Sequence, residues 1–203
     1  MLKPETLNAF ENFCEEAKEY GFEPKIESGF RSFDRQLLIW NEKASGKRKV
    51  LDKNGKPLNI AELSEAELMK TILLWSALPG TSRHEWGTDM DVIDSAAVPE
   101  DYEAELTIEE SYGVFGKFHK WLDIQIGNKN SFGFKRVFLP GIGRVQPEPW
   151  HLTFSPESRE IERNFTAKNL AERLSGSGIL LLPQILANLD WILENHVFCY
   201  FEK

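Results

Sequence analysis

The chain has 203 residues, of which 41% are hydrophobic and 28% are charged, and its formal net charge is -8. This length is sufficient for one domain with a substantial core, and the balance of hydrophobic and charged residues argues against disorder. The acidic balance argues against a nucleic-acid partner, and no apolar run reaches the roughly 20 residues that span a bilayer, so no transmembrane segment is expected.

Neither of the two cysteines, Cys14 and Cys199, belongs to a Cys-x-x-Cys pair, so no zinc knuckle or redox motif is predicted. The N-terminal residues lack the apolar core of a signal peptide. We therefore expect a cytoplasmic protein, or a periplasmic or cell-envelope protein whose signal peptide has been removed. The oligomeric state is left open.

The first part of the chain is predicted to be mainly helical. Apolar residues at three- and four-residue steps indicate a helix over 3–20, and a second helix carries Gln36 and ends near Gly46. A short strand is expected over 25–28 between these helices. Asn54-Gly55 favours a hairpin turn, and a capping box that starts at Ser64 predicts a helix through Trp75.

The second part of the chain mixes strands and helices. Alternating polar and apolar residues predict a strand over 88–93, with Asp89 and Asp91 on one face. A helix is expected over 109–126, loops and short strands over 127–146, and a strand over 150–154 that carries His151. These elements predict an α+β fold in which helices flank a small antiparallel sheet.

The segment after Phe154 carries no recognisable chemistry. We predict helices over 155–174 and 179–194 and a closing strand over 196–201. Residues 1–155 then form the domain that carries the candidate site, and residues 156–203 form a helical C-terminal extension packed on it.

Two short stretches offer a metal site. Ser82-Arg83-His84-Glu85-Trp86-Gly87-Thr88-Asp89-Met90-Asp91 and Glu148-Pro149-Trp150-His151 together supply two imidazoles and several carboxylates. A loop followed by a strand brings His84 and Asp91 together, although Asp89 shares the face of Asp91 and fits as a ligand on geometry alone. Zinc is the first choice for two histidines and one carboxylate, and other divalent metals remain open. Glu148 is placed to act as a general base beside the metal.

Other chemistries are poorly supported. His84-Glu85 resembles the start of a His-Glu-x-x-His motif, but Thr88 occupies the position of the second histidine, and we expect Glu85 to be an exposed loop residue. No Gly-x-Ser-x-Gly elbow or Gly-rich phosphate loop is present. His119 and His196 lack an acidic cluster or turn motif and are predicted to be structural or surface residues.

The motifs together resemble the D-alanyl-D-alanine carboxypeptidases of the VanY type, which belong to a wider group of zinc peptidases with the lysostaphin-like enzymes and the Hedgehog signalling domain. The resemblance runs from about residue 28 to residue 154. It rests on the motifs Ser82-x-His84-x-x-Gly87-x-x-x-Asp91, Glu148-x-x-His151, Gly29-Phe30-Arg31-Ser32-x-x-x-Gln36 and Leu78-Pro79-Gly80-Thr81-Ser82. Met90, where many members have a small residue, and the extra carboxylate of Asp89 are departures from the family pattern.

The resemblance implies a role for each motif residue. His84, Asp91 and His151 would bind zinc, with Asp89 outside the ligand set or at the surface. Glu148 would be the catalytic base that takes a proton from zinc-bound water. Arg31 would face the substrate and stabilise the oxygen that becomes negative during hydrolysis, and Ser82 and Gln36 would contact the substrate, with bracing of the arginine loop as the alternative for Gln36.

The implied reaction is hydrolysis of the terminal D-Ala-D-Ala bond of a peptidoglycan stem peptide or precursor. Alternatives within the same fold are an L,D-carboxypeptidase, a D-Ala-D-Ala dipeptidase and an L-Ala-D-Glu endopeptidase. An alternative from another class is a non-catalytic cell-wall binding module that keeps a structural zinc. The presence of both Glu148 and Arg31 argues against the last, since binding alone requires neither.

Overall fold

The computed structural model describes residues 1–202 and divides the chain into two compact units. The first unit comprises residues 1–30, 86–139 and 147–161, and the second comprises the rest. Each unit has its own cluster of buried hydrophobic residues. The predicted boundary between residues 155 and 156 stays a prediction.

The helices and strands follow one another along the chain as an α+β fold, as the sequence predicts. The helices are α1 (Pro4–Glu19), α2 (Phe33–Ala44), α3 (Glu65–Ile72), α4 (Ile108–Tyr112), α5 (Gly116–Gly127), α6 (Ser155–Asn164), α7 (Ala167–Ser175), α8 (Leu182–Ala187) and α9 (Leu189–His196). The strands are β1 (Pro24–Ser28), β2 (Asp89–Asp94), β3 (Phe134–Arg136) and β4 (His151–Phe154). None of the helices within residues 1–202 combines the length and the apolar character that a bilayer crossing requires.

All four strands belong to the first unit and form one antiparallel sheet in the order β1-β2-β4-β3. Alternate residues of β2 and β4 point to opposite faces of the sheet. On one face, apolar side chains join the core that α1 and α5 complete, and these residues are Met90, Val92, Leu152, Phe154, Phe10, Phe13, Phe118 and Trp121. The alternate positions of the same two strands carry Asp89, Asp91, His151 and Thr153, which are all buried.

The second unit is helical. Its core combines residues of α2 and α3 with residues of α7, α8 and α9, so the C-terminal segment contributes directly to a hydrophobic core. Trp40 is fully buried there, and its indole Nε1 donates a hydrogen bond to the carbonyl of Leu180 at 3.0 Å.

Several predicted elements differ from the structure. The helix expected over 109–126 is interrupted at Gly113, where φ -90° and ψ -105° are not helical, and Val114, which follows it, is exposed. The hairpin around Asn54-Gly55 contains a single bridge between Leu51 and Pro57 and no regular strands.

Up to residue 202, the C-terminal segment has four α-helices where two were predicted. Thr166 caps the start of α7 through a hydrogen bond from the backbone N–H of Asn169, and Pro183 lies in the first turn of α8. The closing strand predicted over 196–201 is wrong, since α9 ends at His196 and a 3₁₀ turn follows. Phe198 and Phe201 of this segment pack on each other and on Phe165, with ring centroids 5.4–5.9 Å apart.

Candidate metal centre

The pairing of β2 with β4 places Asp91 directly opposite His151. Because directly opposed residues of paired strands point to the same face of the sheet, the two side chains meet. Asp91 Oδ1 lies 3.1 Å from His151 Nδ1, and the two residues are 5% and 1% exposed. Two of the three predicted ligands are therefore brought together by strand register alone.

His84 completes the predicted set. It lies in a 3₁₀ turn, Arg83–Trp86, just before β2, and is buried. One ligand atom from each of His84, Asp91 and His151 lies within 4.8 Å of the others. Zinc–nitrogen and zinc–oxygen bonds of about 2.0–2.2 Å at tetrahedral angles put two ligand atoms about 3.3–3.5 Å apart. The donor set of two imidazoles and one carboxylate fits a zinc ion with an open position, and its atoms lie close enough together to converge on one ion.

Glu148 stands beside this group. It belongs to a turn in which the backbone N–H of His151 donates to the Glu148 carbonyl at 3.1 Å, and its own N–H donates to the carbonyl of Phe138 at 3.1 Å. Glu148 Oε2 lies 3.7 Å from His151 Nδ1, the nitrogen that also faces Asp91. Its side chain remains 19% exposed, which leaves the carboxylate accessible to a water molecule or substrate.

The other ring nitrogen of His151 faces a second carboxylate. Asp89 Oδ1 lies 3.1 Å from His151 Nε2, and Asp89 is completely buried. Burial alone would lower the pKa of His151, but its hydrogen bonds with Asp89 and Asp91 raise that pKa to about 10 in the metal-free protein. Sequence reasoning placed Asp89 outside the ligand set or at the surface, and the structure excludes the surface.

Arg31 is held by two contacts in the second unit. Its backbone N–H donates to the carbonyl of His84 at 3.1 Å, and its guanidinium Nη1 donates to Gln36 Oε1 at 3.0 Å. Gln36 is 1% exposed, and its amide nitrogen donates to the carbonyl of Ala77 at 2.7 Å. These contacts support the bracing role for Gln36.

Ser82 lies in a buried turn that Glu85 organises. Glu85 Oε1 accepts hydrogen bonds from the backbone N–H groups of Gly80 at 2.8 Å and Ser82 at 3.3 Å. The expectation that Glu85 is exposed is wrong, because these contacts draw its carboxylate into the protein. Burial raises the pKa of Glu85 to about 7.

The remaining histidines and cysteines lie outside the group. His119 is buried, and its Nδ1 faces the Arg136 guanidinium at 3.3 Å, as expected of a structural histidine. His196 packs edge-on against Trp191 with ring centroids 5.3 Å apart. Cys14 and Cys199 are both free thiols.

Comparison with known protein families identifies the chain. The sequence model of the family described as VanY, D-alanyl-D-alanine carboxypeptidase, matches residues 1–157. The chain belongs to this family. The match confirms the resemblance drawn from the motifs of Arg31, His84 and His151.

Two curated relatives match parts of the chain. An uncharacterized protein of Haemophilus influenzae is 42% identical over 77 residues, which are 38% of this chain and 53% of that protein. A D-alanyl-D-alanine carboxypeptidase of Enterococcus faecalis is 28% identical over 142 residues, which are 68% of this chain and 42% of that protein. In these two cases the chain matches about half of the relative's length or less.

Two solved structures share the fold. One is a mutant of the vancomycin resistance D,D-pentapeptidase VanY in complex with Zn(II), with a TM-score of 0.52, 20% identity and coverage of 91% of this chain and 83% of that one. The other is the LD-carboxypeptidase LdcB, with a TM-score of 0.53, 21% identity and coverage of 91% and 68%. The α+β architecture of this chain is therefore that of the VanY-like peptidases.

Proposed function

We propose that the protein is a zinc-dependent carboxypeptidase that removes the terminal D-Ala from peptidoglycan stem peptides ending in D-Ala-D-Ala. The observation that carries the proposal is the position of Glu148, whose carboxylate lies 3.7 Å from the nitrogen of His151 that faces Asp91. A base beside three metal ligands is the arrangement that hydrolysis needs, whereas a structural zinc needs no base. Membership of the VanY family supplies the substrate class.

His84, Asp91 and His151 would hold the zinc ion. When bound, zinc supplies a water of lowered pKa and polarises the carbonyl of the peptide bond. The fit rests on the donor set of two imidazoles and one carboxylate and on ligand atoms within 4.8 Å of one another. The VanY structure in complex with Zn(II) has the same fold and supports the choice of metal.

Glu148 moves the protons of the reaction. Its carboxylate accepts a proton from the attacking water and then donates that proton to the amine that leaves when the peptide bond breaks. Partial exposure suits this task, because it lets the carboxylate reach the attacking water directly.

Arg31 stabilises the negative charge that develops on the peptide oxygen. A guanidinium fixed in one orientation is effective for this purpose, since its donors are in place before the charge appears. The hydrogen bond to Gln36 and the backbone contact with His84 supply this fixation. Ser82, buried within the turn that Glu85 organises, would contact polar groups of the substrate.

The test is incubation of the zinc-loaded protein with a defined pentapeptide stem that ends in D-Ala-D-Ala, followed by mass spectrometry of the products. Loss of one D-Ala supports the proposal. Release of the D-Ala-D-Ala dipeptide, cleavage of the L-Ala-D-Glu bond, or binding without any product would contradict it in favour of a dipeptidase, an endopeptidase or a binding module.

A second candidate function is L,D-carboxypeptidase activity on a tetrapeptide stem. The similarity to LdcB in fold supports it as an alternative. The same assay with a tetrapeptide that ends in a single D-Ala distinguishes the two, because only an L,D-carboxypeptidase shortens that substrate.

The roles of the residues are tested by substitution. We expect Glu148→Gln to retain zinc and to lose at least about 100-fold in kcat, because the general base is removed while the ligands remain. His84→Ala and His151→Ala are expected to lose zinc, measured by elemental analysis. A Glu148→Gln variant with full activity would exclude Glu148 as the base.

A further inference from the structure

Asp89 is a buried carboxylate that the proposed chemistry does not use. It is fully buried, and its Oδ1 lies 3.1 Å from His151 Nε2. Its other oxygen, Oδ2, accepts hydrogen bonds from the hydroxyls of Thr88 at 2.6 Å and Thr153 at 3.1 Å. A buried carboxylate with this many fixed contacts has a defined orientation.

The sheet register explains how Asp89 reaches His151. In the pairing of β2 with β4, Asp89 lies opposite Thr153, and Asp91 lies opposite His151. All four side chains therefore point to the same face, and Asp89 is the diagonal neighbour of His151. The imidazole lies between two carboxylates of one strand, with Asp91 at Nδ1 and Asp89 at Nε2.

The two ring nitrogens consequently have different tasks. A metal needs the lone pair of one nitrogen, and the proton must then reside on the other. Asp91 and Glu148 both lie on the Nδ1 side of His151. Asp89 is the acceptor on the Nε2 side, so a hydrogen bond from Nε2–H to Asp89 makes the lone pair of Nδ1 the one that binds the metal and fixes the orientation of the ring.

We propose that Asp89 is a positioning residue for the metal site, which holds His151 in the tautomer and orientation that bind zinc, while Thr88 and Thr153 orient Asp89. The inference rests on the proposed function only in taking His151 as a zinc ligand. It also gives a reason for the departure of this chain from the family pattern at position 89.

The test is the zinc affinity of the purified chain of residues 1–203, measured by competition with a chromophoric chelator. We expect Asp89→Asn to bind one zinc ion with an affinity 10- to 100-fold weaker than that of the unchanged chain, which is the usual effect of losing the carboxylate partner of a ligating histidine. Thr153→Val, which removes one donor to Asp89 at nearly constant volume, is expected to weaken zinc binding by a smaller factor.

Asp94→Asn is the matched control. Asp94 is a buried carboxylate at the other end of β2, but its Oδ1 accepts from the backbone N–H groups of Glu23 and Ala96. This variant loses the same charge from the same strand and should leave zinc affinity within about twofold. The thermal unfolding midpoint of each metal-free variant separates an effect on zinc from an effect on folding.

Several outcomes overturn the inference. Equal zinc affinity in Asp89→Asn and the unchanged chain does so, as does an equal loss in Asp89→Asn and Asp94→Asn. A complete loss of zinc as in Asp91→Asn would make Asp89 a ligand instead of a positioning residue. If Asp89→Asn does not fold, the affinity of Thr153→Val decides. Failure of the unchanged chain to bind zinc would instead contradict the proposed function, so the two failures are distinguishable.

Discussion

At the scale of single residues, the candidate site depends on the two-residue period of a strand. The spacing of His84, Asp91 and His151 could be recognised in the sequence because these residue types belong to a family motif. The two-residue period also predicts that Asp89 and Asp91 lie on one face of the strand, but it does not predict which residues pack against that face. The register of β2 against β4 decides this, because it puts His151 opposite Asp91 and leaves Asp89 at the far ring nitrogen. Register depends on pairing between distant segments, which no local pattern contains.

Gln36 provides a test of how strongly Arg31 depends on its support. We expect Gln36→Leu to lower kcat/KM by about tenfold or more at unchanged zinc content, because a guanidinium without its anchor is no longer held in the productive orientation. Gln36→Glu keeps an oxygen for Arg31 and should retain more activity than Gln36→Leu. Equal activity in both variants would show that the contact with Arg31 has no part in the reaction.

His119 makes the free energy of unfolding of the protein depend on pH. Burial and the nearby Arg136 charge lower the pKa of His119 to about 3. The unfolded chain, with an ordinary histidine pKa near 6.5, therefore takes up this proton first as the pH falls, and stability is lost from about pH 6.5 downward. Between pH 7 and pH 5, the free energy of unfolding falls by about 2 kcal/mol from this cause.

The measurement is the free energy of unfolding in urea at both pH values. His119→Asn keeps an acceptor for Arg136 and cannot be protonated. Its free energy of unfolding should therefore fall by about 2 kcal/mol less than that of the unchanged chain over this pH range. The same pH dependence in both proteins would mean that His119 is not held neutral in the folded state.

At the scale of elements, the sequence predicts the capped start of α3 correctly but does not predict the interruption of the helix expected over 109–126. The capping box at Ser64 is present, with Glu67 as its partner. The apolar pattern over 109–126 continues through α4 and α5, so the pattern alone indicates one helix. The interruption at Gly113 depends on backbone geometry that requires glycine, since a Cβ at this position would lie only 2.6 Å from the carbonyl oxygen of Glu109.

The capping box of α3 has a measurable contribution. Ser64 Oγ accepts from the Glu67 backbone N–H, and the Glu67 carboxylate accepts from the Ser64 backbone N–H. We expect Ser64→Ala to lower the free energy of unfolding by about 1 kcal/mol, because one helical N–H loses its acceptor. Ser64→Asp, which restores an acceptor, should recover most of that loss in the same urea titration, whereas equal stability of all three proteins would contradict the capping role.

At the scale of the whole molecule, the residues of the candidate site could be predicted from the sequence, whereas the role of the C-terminal segment could not. The family match ends at residue 157, and the residues beyond it carry no recognisable chemistry. These residues stabilise the protein by burying apolar side chains. Because the residues they pack against lie far away in the sequence, no local pattern predicts these contacts. A buried ion pair also connects this segment to Arg83, which precedes His84 in the sequence. Arg83 Nη1 lies 3.0 Å from Glu162 Oε1, and both side chains are 5% exposed.

A chain truncated after Ile161 tests that contribution directly. Within residues 1–202, the C-terminal segment supplies seven of the fifteen buried residues in the core of the second unit. Their loss removes packing partners of Trp40 and Met69 and leaves apolar surface in contact with water, at a cost of about 1.5–3 kcal/mol for each large side chain. The first unit keeps its own core in this chain. We therefore expect the truncated chain to lose the unfolding transition of the second unit, measured as a smaller near-UV circular dichroism change on unfolding than in the chain of residues 1–203. Leu174→Ala should keep the transition of the second unit, with a free energy of unfolding lowered by about 2–5 kcal/mol. Lys168→Ala changes an exposed residue of the same helix and should change the free energy of unfolding by less than about 0.5 kcal/mol. A truncated chain with the same amplitude and midpoint of unfolding as the chain of residues 1–203 would show that the second core does not need this segment.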